Sequence, residues 1–239
     1  TADTLVDVAF VGTSGWSMVR TLNANQLALG ALQKNPGVNA NALRPYLGYA
    51  NITQHVNGAN LNYSSLQMQL KKNMARNGLI NFAYTWSKAI TDASAYGEQP
   101  MDSTNAKLDR GLATYDRRHI FVASYVYPLP FWRDGGAWYK VALGGWQVSG
   151  VTTMQSGRPL NLTINGDVAG TTTGSQRPNV VGDPFANAKT ETRWFAPESF
   201  SVPAAGTWGN MGRNAIVGPG THNWDVSLQK IFTISERVR

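Results

Sequence analysis

Three histidines, four loop carboxylates and one arginine pair are the residues whose types admit chemistry. His55, His119 and His222 lie far apart in the sequence, so a metal site would need the fold to gather them. A separate structural or surface role for each is the plainer reading. Glu98, Asp102, Asp109 and Asp116 share one segment, and calcium takes about six to eight oxygens, yet their spacing matches no calcium-loop motif and a solvated acidic loop is the default. Arg117-Arg118 would suit phosphates such as those of lipopolysaccharide; alternatively Asp116 and Arg117 pair locally and order the return of the chain into the next strand. The sequence holds no G-x-S-x-G elbow, no H-E-x-x-H, no P-loop and no Cys. No catalytic residue, no metal and no cofactor is therefore expected, and an enzyme is the least expected class.

The residues best suited to touch a ligand are Trp194, Phe195, Trp208 and Arg213, in a Gly- and Asn-rich stretch from Gly157 to His222. Such rings stack on sugars or aromatics, and long loops on a rigid scaffold carry recognition. The same residues equally serve to pin a long loop against itself.

Composition limits the scaffold. Charged residues make up 15% of the 239 residues, against about a quarter in ordinary soluble domains, and Gly, Asn, Ser, Thr and aromatics fill the difference. No stretch approaches the roughly 18 apolar residues of a membrane helix. A membrane β-barrel is still open, because its strands need only about ten alternating residues. The net charge is +7, but Lys and Arg are dispersed and form no phosphate-tracking stripe, so nucleic acid is not an expected partner. The chain opens at Thr1 without a leader pattern and stops at Arg239, which reads as a piece of something longer.

Period-two alternation predicts the elements. Val6, Val8 and Phe10 alternate with Asp7 and Ala9. Leu66, Met68 and Leu70 alternate with Gln67, Gln69 and Lys71; after a turn at Ala75-Arg76-Asn77-Gly78, Ile80, Phe82, Tyr84 and Trp86 alternate with Asn81, Ala83, Thr85 and Ser87. Trp146 and Val148 alternate with Gln147 and Ser149, and Trp224, Val226 and Leu228 with Asp225, Ser227 and Gln229; His119 to Leu129 is apolar on both faces. Short connections fall at Ala75 to Gly78 and roughly Pro130 to Gly144, long ones at roughly 12–62, 91–118 and 157–222. If successive strands are antiparallel, all long loops share one end, as in outer-membrane barrels.

On this pattern Gln67, Gln69, Asn81, Thr85, Gln147, Ser149, Asp225, Ser227 and Gln229 line a wet lumen while the alternate face meets lipid. Tyr63, Trp86, Trp146 and Trp224 lie near strand ends, where amphipathic rings occupy a membrane interface; capping a sandwich core would use them equally well. About six strands cannot close a barrel without leaving open edges. The fold expected is all-β, an antiparallel transmembrane barrel segment belonging to a larger barrel or pairing with other chains.

A series of short motifs then becomes specific by its order. It runs Asn62-Tyr63-Ser64-Ser65-Leu66-Gln67, Tyr84-Thr85-Trp86-Ser87-Lys88-Ala89-Ile90, Tyr115-Asp116-Arg117-Arg118-His119, Leu143-Gly144-Gly145-Trp146-Gln147-Val148-Ser149-Gly150 and Ser156-Gly157-Arg158-Pro159. It continues through Arg177-Pro178-Asn179, Gly182-Asp183-Pro184, Trp194-Phe195-Ala196-Pro197, Gly209-Asn210-Met211-Gly212-Arg213-Asn214 and Asn223-Trp224-Asp225-Val226-Ser227-Leu228. Over nearly its whole length the chain resembles the C-terminal barrel portion of large TonB-dependent receptors of the Oar-like type, which carry a carboxypeptidase-regulatory-like domain and are frequent in acidobacteria. The resemblance implies a barrel of about 22 strands around a plug, with the plug and N-terminal domains absent from this sequence. It further implies a bacterial outer-membrane location, contact with outer-membrane lipid and lipopolysaccharide, and work with the plug and TonB in the full-length protein. The expected role is barrel wall and extracellular loops for import of a substrate too large or scarce for porins. Two other classes stand beside it: a structural or adhesive surface protein self-associating through open strand edges, and a soluble β-sandwich that binds carbohydrate.

Overall fold

The computed structural model of the chain describes residues 3–74, 78–130 and 144–231. Its long strands are β1 (Thr4–Asn23), β2 (Thr53–Met74), β3 (Gly78–Thr91), β5 (His119–Pro128), β6 (Trp146–Gln155) and β11 (Thr221–Lys230). Two-residue strands interrupt the connections: β4 (Gly111–Leu112), β7 (Pro159–Leu160), β8 (Asn179–Val180), β9 (Phe200–Ser201) and β10 (Ile216–Val217). Among the described residues the main sheet has the order β1-β2-β3-β5-β6-β11, with β4 paired to β3. Every pairing in it is antiparallel. The architecture is thus an all-β meander whose edge strands are β1 and β11.

Because directly opposed residues project to the same side of a sheet, the register defines two faces. One level of the first face runs Val6, Leu70, Phe82, Ala123, Thr152, Trp224; the adjacent level of the other runs Asp7, Gln69, Ala83, Val122, Thr153, Asn223. All nine residues expected to line a lumen share the second face. It is mainly polar, interrupted by Ile120, Val122, Val126 and Val151 along β5 and β6 and by Leu5 and Val11 on β1. The first face carries large apolar side chains with nothing packed on them: Phe10 is 73% exposed and Trp224 63%. In water such a surface would be costly at roughly 25 cal/mol per Å². A β-sandwich would cover it with a second sheet about 10 Å away, and no such layer exists among the described residues.

The buried apolar residues instead lie mostly beyond the strand ends. Leu27, Met101, Ala113, Ala169, Ala196, Met211 and Ile216 are buried, and all belong to connections. The three long connections emerge at the same end of the sheet, as antiparallel succession requires, and fold there into one layer.

Two expectations need correction. The first long loop is not 12–62: β1 and β2 continue beyond the end of β3 as a two-stranded ribbon, pairing as far as Asn23 with Thr53, so the connection spans residues 24–52. Neither side of the ribbon forms an apolar face, so its sequence shows no alternation. Register shifts occur at Gly15/Met18 and Met18/Val19, where Ser17 takes a positive φ of 55°. Tyr63 is the second correction: it pairs with Thr13 and Ala89 on the polar face, partway along β2, so it does not join the interface rings. Trp86, Trp146 and Trp224 do share the apolar face, and the Lys230 ammonium lies 5.4 Å from the Trp146 ring centroid. The turn at Ala75 to Asn77 and the greater part of the connection after Pro130 lie outside the described residues.

Phe82 tests the assignment of the faces, since it sits between Leu70 and Ala123 and stacks on Phe121 at 6.0 Å. Phe82→Arg should lower stability in lipid vesicles by about 2–4 kcal/mol. Gln69→Arg, one level away on the opposite face, should change it by under about 0.5 kcal/mol, both read from urea unfolding followed by heat-modifiable gel mobility.

Candidate functional site at the loop end of the sheet

The loop layer is built on buried arginines. Arg177, 2% exposed, forms an ion pair with Asp109 and donates to the carbonyls of Met211 (2.9 Å) and Leu108 (3.0 Å). Asp109 in turn accepts from the Met101 amide at 2.8 Å. Arg213 holds Glu98 through two bonds, Nε to Oε1 (2.8 Å) and Nη2 to Oε2 (2.7 Å), and also donates to Ser94 Oγ and the Thr91 carbonyl. Both arginines belong to the third connection and both carboxylates to the second, so each ion pair stitches two loops. Gly111 sits beneath Arg213 where any Cβ would overlap the Arg213 carbonyl.

The first connection is held by similar means. Arg44 donates to the Asn25 carbonyl (2.5 Å) and to Thr172 Oγ1 of the third connection (3.0 Å). Gln26 donates to Asp102 and accepts from the Ser103 amide in the second. Asn25, fully buried, donates to the carbonyls of Tyr46, Tyr49 and Ala50 and accepts from the Tyr46 amide. Most buried polar groups in this layer are matched donor to acceptor, as burial demands, with guanidinium nitrogens of Arg117 and Arg193 as exceptions.

This arrangement sorts the candidate ligand residues. Arg213 is 4% exposed and saturated by its own loops, so it is a structural clamp and not a ligand contact. Trp194 donates its indole N–H to the Val217 carbonyl at 2.7 Å, which pins the third connection to itself. Phe195 meets Phe200 edge to face at 6.0 Å and helps line an apolar cleft of about 250 Å³ with Leu162, Ile164 and Pro178. Trp208 is half-buried and lines neither that cleft nor the Arg213 clamp.

The carboxylates and histidines resolve in the same way. Glu98, Asp102 and Asp109 each hold a different partner, and among the described residues no three His, Cys, Asp or Glu converge as a metal site would need. His55 stacks on Tyr96 at 4.8 Å, and His119 Nδ1 lies 2.7 Å from the Tyr84 hydroxyl. Asp116 does not pair with Arg117: its carboxylate accepts from the Ala89 amide (2.6 Å) and faces Arg118 at 3.9 Å. Arg117 turns instead to Gln155, donating from Nε at 3.3 Å. Partial burial, and then the charge of nearby Arg158, hold its guanidinium below the ordinary arginine range, with Asp116 opposing more weakly. On the apolar face, Lys88 and Arg118 border a groove of about 430 Å³ floored by Phe10, Leu66 and Trp86, which sets cations above an apolar band.

An antiparallel meander with one apolar, uncovered face, one polar face and its long loops gathered at one end is the arrangement of a strand-built membrane protein. The chain belongs to the outer-membrane β-barrel domain family, whose model matches residues 1–239, and it resides in the bacterial outer membrane. No curated protein and no solved structure matches it significantly.

Removing one partner of a buried pair leaves the other charge stranded, at about 3–5 kcal/mol. Arg177→Met should therefore loosen the loop layer without unfolding the strands. Protease added to intact cells should cleave the second and third connections at a rate raised by on the order of a hundred-fold, while the strands keep their heat-modifiable mobility.

Proposed function

We propose that this domain supplies barrel wall and extracellular loops to a TonB-dependent receptor that binds and imports a solute too large or scarce for porins. The observation that carries the reading is the loop layer. A pore for small solutes needs little more than an open mouth. Here three connections are interlocked through buried arginines and amides into a preorganised surface over the polar face. Preorganisation lowers the entropic cost of capturing a ligand, which suits a receptor better than a sieve. The ordered series of motifs shared with Oar-like receptors supports the same conclusion.

The reading assigns partners to each surface. Outer-membrane lipid covers Val6, Phe10, Phe82 and Trp224, and the Lys88 and Arg118 rim faces lipopolysaccharide phosphates. The edges β1 and β11 pair with further strands, since unpaired backbone groups in hydrocarbon cost several kcal/mol each. The plug occupies the lumen, and TonB engages it from the periplasm.

Topology and coupling are measurable together, and the chain's lack of Cys makes single-cysteine labelling clean. On intact cells a membrane-impermeant maleimide should label Asn165→Cys, in the exposed third connection. Asn73→Cys, at the opposite end of the sheet, should react only after permeabilisation. The intact protein, purified in detergent, should retain the periplasmic domain of TonB on a column. Recovery as large detergent-free assemblies of a 239-residue chain would instead establish the self-associating surface protein.

A further inference from the structure

We propose that the cleft between Arg117 and Arg158 is a binding site for a phosphate-type oxyanion. Among the described residues three guanidinium nitrogens are buried without a hydrogen-bond partner, in Arg20, Arg117 and Arg193. The orphan of Arg117, its Nη1, belongs to a side chain that lines a cleft with a second arginine. That cleft, about 390 Å³, is bounded by Thr114, Tyr115, Arg117, Gln155 and Arg158, and no carboxylate lines it.

Arg117 breaks the rule its neighbours keep. Arg44, Arg177 and Arg213 are each engaged through several nitrogens. Among the described residues Arg117 makes one hydrogen bond, to Gln155, and the Arg158 guanidinium makes none, so two like charges face one cleft with only Asp116 weakly opposing them. Asp116, the nearest acid in sequence, is committed to the Ala89 amide and to Arg118.

Both arginines also stand on fixed backbone. Ser87 donates to the Arg117 carbonyl at 2.9 Å, and the Gly218 amide to the Arg158 carbonyl at 2.8 Å. Gly157 packs so closely on Gly218 that a Cβ there would overlap its carbonyl.

An oxyanion supplies what is missing: charge to offset the repulsion and acceptors for the two arginines that line the cleft, in the planar geometry that guanidinium groups offer phosphate. The hydroxyls of Thr114 and Tyr115 are further donors on the wall. Gln155 is on the polar face, so the site is oriented toward water-borne ligands, and it does not depend on whether the bound group is imported.

Calorimetry on the intact protein, purified from outer membranes in detergent, tests the site with inorganic phosphate at low ionic strength and glucose as the neutral control. Phosphate should bind and glucose should not; Arg117→Gln and Arg158→Gln should each weaken phosphate about ten-fold or more, and Arg117→Lys, which keeps the charge but not the fork, by less. Lipopolysaccharide micelles form the second arm. Binding of micelles that phosphate displaces and Arg117→Gln weakens would place the oxyanion on a lipid headgroup, whereas micelle binding indifferent to both would assign the site to soluble phosphates. Unchanged phosphate affinity in both Gln variants, or equal binding of phosphate and glucose, overturns the proposal. Heat-modifiable mobility checks folding, and Arg158→Gln, whose exposed side chain makes no hydrogen bond, carries the test if Arg117→Gln fails to fold.

Discussion

Every backbone amide that enters hydrocarbon must find its partner within the protein. For a chain with no apolar run long enough for a helix, that leaves the antiparallel ladder, and consecutive strands satisfy it with the shortest connections. The period of two then follows without further choice: Val6, Leu70, Phe82 and Trp224 fall to one side, and Asp7, Gln69 and Asn223 to the other. The low charged fraction, 15%, has the same origin. One face keeps its cations, such as Lys72 and Lys88, toward the strand ends because a cation at mid-membrane costs about 2–4 kcal/mol, and the other needs polarity rather than net charge.

The ladder also decides what the loops must be. Strands committed to lipid on one side and water on the other offer no hydrophobic core, so the connections cannot dock onto one and must hold themselves. They do so with a few apolar residues, among them Leu27, Met101 and Ile216, and a dense set of donors and acceptors. Arg177 with Asp109 and Arg213 with Glu98 tie the second and third connections, while Arg44 and Gln26 bring in the first. A buried pair of this kind adds little net stability against an apolar substitute. Its value is geometric, because each fork and carboxylate accepts few arrangements and so fixes how long loops lie on one another.

The strands and their faces are legible in the sequence because alternation is local: Leu66 to Lys71 and Ile80 to Ser87 declare their sides without reference to the rest of the chain. The loop layer is not, because its bonds span great separations. Arg213 finds Glu98 at a distance of 115 residues, and Arg177 finds Asp109 at 68. In sequence these residues look like solvated charges or ligand contacts, and Arg213 reads as a stacking partner until its saturation is seen. Asp116 and Arg117 mislead for a smaller reason: the Asp116 carboxylate is taken by the Ala89 amide and faces Arg118, while Arg117 donates to Gln155. The ribbon of residues 16–23 and 53–60 was hidden because a strand pair without an apolar face loses the one signal that marks a strand.

The junction between ladder and loops combines the properties of both. Near the ends of β5 and β6 the backbone is still positioned by the sheet, yet side chains reach water and the desolvation that forbids charge in the membrane is relieved. Arg117 approaches β5 from one connection and Arg158 leaves β6 for another, and the pairing of Ile120 with Gln155 brings them to one place. Positions of this kind can carry an uncompensated charge at tolerable cost while keeping its geometry. Side chains that touch a ligand can therefore be held rigidly here without full burial in protein. In a layer where almost every donor is matched, the unmatched one at this junction is where the fold leaves room for something that is not protein.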